Sequence, residues 1–265
     1  MPRRRVPRAA RAVALVGLLA LGSACVSPPR ESEPPQAPPA ERAAARRNLG
    51  IDHIVNGRIA WGLRELQHAE SLYAEDALTQ LWLGQAFRLR GRPDEALAHA
   101  RRAVEIDPTH QEARLNLSTI LTDHQLYAEA IEHAQVLVDD PTFATPWRAL
   151  TNRGWAQLKL GYLADARASF DEALEYAPKY WPALLDLGIL SSIERDYVGA
   201  IRHLADVVAL EPGPGAEAEA NYRMAEAYVS IGRRDRAIQH LTLAIDREPN
   251  GRWGRQSRAY LQRLQ

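Results

Sequence analysis

The chain repeats itself. In LWLGQAFRLRGRPDEALAHARRAVEIDP (81–108), Gly84, Gly91, Ala96, Ala103 and Pro108 return as Gly154, Gly161, Ala166, Ala173 and Pro178, each pair 70 residues apart. A third copy between them carries Leu117, Leu121, Ala130 and Ala134. Two copies follow, one with Leu187-Gly188, Ala200, Leu204 and Pro212, the next with Met224, Tyr228, Gly232, Ala237, Ala244 and Pro249. The first copy has drifted furthest, keeping Leu49-Gly50, Gly57, Gly62 and Ala69. With Gly50, Gly84, Ser118, Gly154, Gly188 and Ala225 in register, the steps are 34, 34, 36, 34 and 37 residues. A unit this short cannot bury an apolar face alone, so the copies must stack.

Within each half-unit apolar residues fall at i, i+3, i+4 and i+7, the period of a helix. Gly91, Gly161 and Gly232 fall where a first helix must stop and the chain needs positive φ. Alanines 96, 130, 166, 200 and 237 let two helices approach, and prolines 108, 178, 212 and 249 end the second helix. No segment reads as a strand. Spacing and positions resemble the tetratricopeptide repeat, which implies an all-α, right-handed solenoid of helix–turn–helix units. The expected units are 43–76, 77–110, 111–146, 147–180, 181–216 and 218–251, within a repeat region 42–252. Trp253–Gln265 (WGRQSRAYLQRLQ) is half polar and is expected to be a helix capping the open end of the stack.

Residues 1–24 form a different kind of sequence. Five arginines (Arg3, Arg4, Arg5, Arg8, Arg11) precede an apolar run, AVALVGLLALG, and then small residues, the parts of a secretory signal. The run is shorter than the ~20 residues a membrane-spanning helix needs. The single cysteine, Cys25, closes this pattern in a setting that resembles the lipobox of bacterial lipoproteins, although Gly22 stands where Leu is usual. That resemblance implies acylation of Cys25; an ordinary secretory signal with an incidental cysteine is the alternative. Val26 after the cysteine, by resemblance to the sorting rule of enteric bacteria, implies the periplasmic face of the outer membrane. Six prolines in SPPRESEPPQAPPA (27–40) predict, with the cysteine, an extended tether over 25–41. At ~3.1 Å per residue it reaches about 40 Å.

Composition excludes several functions. Lys+Arg and Asp+Glu are both 33, and removing the arginine-rich leader leaves 28 basic against 33 acidic residues. An acidic chain is no general nucleic-acid binder, which needs basic excess to neutralise phosphates. One cysteine excludes a disulfide scaffold and a multi-cysteine zinc site. Four of the eight histidines (His99, His133, His203, His240) occupy one register position in four copies. Packed helices lie about 8–10 Å apart, whereas a zinc ion needs nitrogens at about 2 Å. They are therefore expected to belong to the repeat template, with no metal bound. Phosphate-binding, dinucleotide, nucleophile-elbow and zinc-protease motifs are missing, so the reading is a non-enzyme with no cofactor and no small-molecule substrate.

The expected site is a groove lined by the first helices. By resemblance to the family geometry, Ile51, Ile54, Val55, Leu78, Leu81, Leu89, Trp155, Leu158, Leu185, Ile189, Ile193, Tyr222 and Val229 face it. Copy three is polar there, with Glu112, Thr119, Thr122 and Asp123. An apolar groove marks a protein-interaction surface that receives an apolar helix or strand; core packing is the alternative for individual residues.

The segment VDDPTFATPWRALTNRGW (138–155) is more particular. Its Asp140, Pro141, Phe143, Thr145, Pro146, Arg148, Ala149, Leu150, Asn152 and Gly154 resemble the type IV pilus biogenesis and stability lipoproteins of the PilF/PilW/Tgl type. The resemblance implies a pilotin, an outer-membrane lipoprotein that binds secretin subunits and promotes their insertion and multimerisation. A periplasmic scaffold lipoprotein for cell-wall hydrolases or other envelope machinery is the alternative.

Overall fold

The structure is a computed structural model and describes residues 37–264. Cys25, the signal segment and the proline-rich stretch up to residue 36 lie outside the described residues. Thirteen helices and no strand are found among those described: α1 (Pro39–Val55), α2 (Ile59–Leu72), α3 (Ala77–Leu89), α4 (Pro93–Ile106), α5 (Gln111–Asp123), α6 (Tyr127–Val138), α7 (Pro146–Leu160), α8 (Leu163–Tyr176), α9 (Trp181–Ile193), α10 (Tyr197–Ala209), α11 (Pro214–Ser230), α12 (Arg234–Arg247) and α13 (Arg252–Leu264). None is long and apolar enough to cross a membrane.

Six antiparallel pairs and one final helix make the stack. Each first helix ends in the same closure. One residue takes a left-handed conformation, at Gly57, Gly91, Gln125, Gly161, Arg195 and Gly232, with φ between 61° and 82°. The next residue donates its amide back to the carbonyl five residues earlier, as in Arg92 to Phe87 at 3.0 Å and Asp196 to Ser191 at 2.9 Å. This is the six-to-one bond of a Schellman motif, satisfying carbonyls that a helix end leaves unpaired. Two of the six closures use a side-chain-bearing residue, so the turn is imposed by the stacking and not by glycine alone.

Helices within a pair meet at the register glycines. A Cβ built on Gly154 would lie 2.6 Å from the Phe170 ring, and one on Gly188 would lie 2.6 Å from Leu204. The missing side chain is the space its partner fills. The first copy goes further: Gly50 and Gly62 face each other, and a Cβ on Gly62 would lie 2.7 Å from the Gly50 carbonyl oxygen. What reads as drift in the sequence is a closer crossing of α1 and α2.

The backbones of successive first helices come close to one another (α1–α3, α3–α5, α5–α7, α7–α9, α9–α11), whereas those of successive second helices stay apart. The repeat stack therefore curves with its first helices inside. On the outer side this leaves clefts, such as the one of about 400 Å³ between α4 and α6, floored by Val104, Pro108 and Leu117. The Arg101 guanidinium spans it to Glu129 at 2.7 Å. At the far end, α13 covers the last pair. Trp253 is buried against Ala218, Ala244 and Tyr222, while Tyr260, Leu261 and Leu264 cover Ala225, Ala237 and Leu241. Arg255, Arg258 and Arg263 face outward, as a cap requires.

Candidate functional site on the inner face

The inner face is less apolar than the sequence predicts. Of the expected groove residues, Val55, Leu89 and Ile193 are exposed (71%, 57% and 52%). Ile51, Leu78, Trp155, Ile189, Tyr222 and Val229 are half-buried. Ile54, Leu81, Leu158 and Leu185 are core residues, no more than 8% exposed. The reason is the seam between units. Leu81 packs with Ala103 of α4 and Ala113 of α5, and Leu158 with Phe170 of α8 and Leu187 of α9. Leu185 joins Leu204 and Met224, and Ile54 joins Leu66 and Leu83. Touching first helices seal these side chains away from the groove. Tyr222 is occupied by Trp253 and Tyr260, with ring centroids 5.2 and 6.0 Å away.

A polar cavity of about 150 Å³ opens between α3, α5 and α7 and the start of α9. It is lined by Gln85, Glu112, Leu115, Asn116, Thr119, Arg148, Asn152 and Tyr180. Arg148 holds Glu112 through two hydrogen bonds of 3.0 and 2.9 Å, a bidentate pair that joins neighbouring units. Asn152 donates to Ser118 Oγ at 2.8 Å and to Thr119 Oγ1 at 2.9 Å. Asn116, 5% exposed, donates to the Leu81 carbonyl at 3.4 Å, and its Oδ1 is buried without a partner. Burial raises the Tyr180 phenol above its usual pKa, with Asp186 adding to the rise and Arg148 opposing it.

Beyond Tyr180 the face turns acidic. Asp186 accepts no hydrogen bond and forms no ion pair among the described residues. Burial, reinforced by Glu219 and opposed by Lys159, holds its carboxyl well above the ordinary range. Glu219 is raised too, by burial, against the pull of Arg223. Lys159 instead lies over the Trp155 ring, 4.3 Å from its centre. Elsewhere charges on this face are matched across units, as in Arg88–Asp123 at 2.6 Å.

Asn116, Asn152 and Asp186 were not among the expected groove residues, yet one signal marks them. Each stands two places before its register residue (Ser118, Gly154, Gly188), as do Asn48 and Arg223. In Leu115-Asn116-Leu117 and Leu185-Asp186-Leu187 a polar residue interrupts an apolar run. The 138–155 segment divides its labour. Asp140 accepts from Thr142 N at 2.9 Å and from Gln111 Nε2 at 2.7 Å, and hydrogen bonds from Thr142 and Gln111 hold its carboxyl below the usual range. Phe143, 7% exposed, fills a gap between Leu115, Leu137 and Ala149. With the loop pinned on both sides, Arg148 and Asn152 are delivered to the cavity.

Tetratricopeptide repeat signatures match residues 47–111, 87–153, 147–180 and 193–256. The chain belongs to the tetratricopeptide repeat proteins, whose repeats bind protein partners and are generally non-catalytic. It is similar in fold to PilW, described as a widely conserved type IV pilus biogenesis factor (TM-score 0.70, 17% identity, 81% of this chain and 97% of that one). It is also similar to PilF of Pseudomonas aeruginosa (TM-score 0.65, 20% identity, 84% and 99%). A third similar fold is in the APC/C Cut9–Hcn1 hetero-tetramer (TM-score 0.72, 18% identity, 84% and 43%). Among curated sequences, the BBSome complex member BBS4 of Bos taurus is 26% identical over 213 residues, and this chain spans 38% of its length.

Proposed function

We propose that this chain is an outer-membrane lipoprotein, anchored through acylated Cys25, whose inner face holds subunits of the type IV pilus secretin and promotes their insertion and multimerisation. The observation that carries the reading is a coincidence of motif and cavity. Of the residues that resemble the pilus lipoproteins, Arg148 and Asn152 line the inner-face cavity, while Asp140 and Phe143 secure the loop that leads to them. Similarity of fold to PilW and PilF over nearly their whole lengths supports it. The action is mechanical: a tethered binder raises the local concentration of its subunits and covers surface that would otherwise aggregate.

The test is the heat-resistant secretin multimer band in envelopes with and without this gene. Loss of the multimer with monomer still present supports the reading. An unchanged multimer overturns it in favour of a periplasmic scaffold for other envelope machinery. Cys25→Ser should leave the solenoid folded and release it from the membrane fraction; unchanged fractionation would refute the anchor.

A further inference from the structure

Charge on the inner face is neutralised in matched pairs until Asp186. Arg88 meets Asp123 and Arg148 meets Glu112, each pair bridging adjacent first helices. Asp186 has no such partner among the described residues, and the charges that influence it are Glu219, which repels, and Lys159, which is drawn over Trp155. Half-buried Trp155 and Ile189 and exposed Ile193 line the same stretch. The adjoining cavity holds a second unmet acceptor, the Asn116 Oδ1, on a side chain that is 5% exposed. The Asp186 carboxylate, half-buried and still reached by solvent, is without a protein partner, and the fully buried Asn116 acceptor is a standing cost to the fold. A ligand bearing donors and a positive charge removes it.

Building on the pilotin reading, we infer that the inner face of α5, α7, α9 and α11 binds an extended peptide that places a lysine or arginine at Asp186 and Glu219, with an N–H donor entering the Asn116–Asn152 cavity. The aliphatic stem of the basic residue lies along Ile189 and Trp155 while its head reaches the carboxylates, as long cationic side chains do on apolar surface. The occupant is a protein segment and not an acidic lipid surface, because a carboxylate without an ion pair at Asp186 and an unmet amide acceptor at Asn116 call for a cation and a hydrogen-bond donor.

The experiment selects binders to the immobilised full chain from a random dodecapeptide library, so it does not presuppose the partner. Selected peptides should be enriched in lysine or arginine flanked by apolar residues. A fluorescently labelled selected peptide should bind Asp186→Asn at least about tenfold more weakly, the loss expected for a hydrogen bond to a charged group. Asp186→Asn should fold with an essentially unchanged thermal midpoint, since it replaces a half-buried carboxylate that has no protein partner with a neutral isostere. Asp186→Lys should shift selection toward acidic peptides. No enrichment of basic residues, or equal binding by Asp186→Asn, would overturn the inference. Glu219→Gln provides a second variant and should weaken binding in the same direction. If basic peptides bind through Asp186 but the secretin multimer forms normally without the gene, the site stands and the pilotin reading fails.

Discussion

The imidazole of His99 meets the Gln80 carboxamide, Nδ1 to Oε1 at 2.7 Å, across nineteen residues of sequence. The same step joins His240 to Asn221 at 2.8 Å and His133 to Arg114 at 3.2 Å, and Arg46 donates to Glu65 at 2.8 Å across that interval too. A companion step of twelve stacks His99 on Phe87 and His240 on Tyr228, with centroids 5.1 and 5.2 Å apart. His99, His133 and His240 tie α4, α6 and α12 to the first helices of their own units. In His133 the Arg114 guanidinium donates to Nδ1, which requires that nitrogen to be unprotonated.

This geometry sets a pH dependence. Burial depresses the pKa of His99, His133, His203 and His240 below the usual histidine value. The unfolded chain therefore takes up protons first, at about 6.5. These groups cost nothing well above that value, and stability is lost as pH falls from there through their folded pKa values. Asp186 and Glu219, raised on folding, act in the opposite sense. Urea midpoints at pH 7.5 and 5.5 should differ less in His99→Gln and in His133→Gln than in the parent chain. An identical difference would contradict the assignment.

Gln125 and Arg195 hold φ of 61° and 66° where four other units place glycine. Left-handed backbone strains a residue that carries a Cβ, and glycine adds back some unfolded-state entropy. Gln125→Gly and Arg195→Gly should each raise stability by about 0.5–1 kcal/mol, read as a higher midpoint in thermal circular dichroism. The reverse change, Gly161→Gln, should lower it.

Phe143 carries the packing of the loop before α7. Phe143→Ala should cost about 3 kcal/mol, the low end for truncating a buried aromatic, measured by urea denaturation. Because that loop delivers Arg148 and Asn152, partner binding should weaken in the variant even at temperatures where it remains folded.

Exposure separates groove from core. Ile193→Glu and Leu89→Glu alter exposed side chains and should change stability by no more than about 0.5 kcal/mol. Leu185→Glu puts a charge among Leu204, Val207 and Met224 and should unfold the C-terminal units. If Ile193→Glu and Leu89→Glu both bind partner normally, the inner face is not the binding surface.

Architecture was readable from the sequence because each constraint on it recurs. A glycine at a helix crossing or an alanine facing it returns in unit after unit, and a repeated pattern identifies itself. The groove was harder to read. Its apolar residues follow the same helical period as the core, and Leu81 differs from Leu89 only in whether the next first helix covers it. That depends on the tilt between units, which no single copy encodes. The polar row at Asn116, Asn152 and Asp186 was readable in principle, as a register position where apolar runs break; a search for apolar docking residues passes over it. Gln125 and Arg195 could not be recognised as left-handed, since neither residue type announces the conformation that its neighbours force on it.

A row of touching first helices backed by open outer clefts gives the stack the mechanics of a masonry arch. Tightening the curve presses the inner row against close-packed side chains, which yield little. Flattening it parts exposed ion pairs such as Arg148–Glu112 and Arg88–Asp123, each worth about 1 kcal/mol or less, and the cleft between α4 and α6 has room to close as it does so. The solenoid should therefore be stiff in one direction and compliant in the other, so that a partner wider than the resting span would be admitted by spreading the arch.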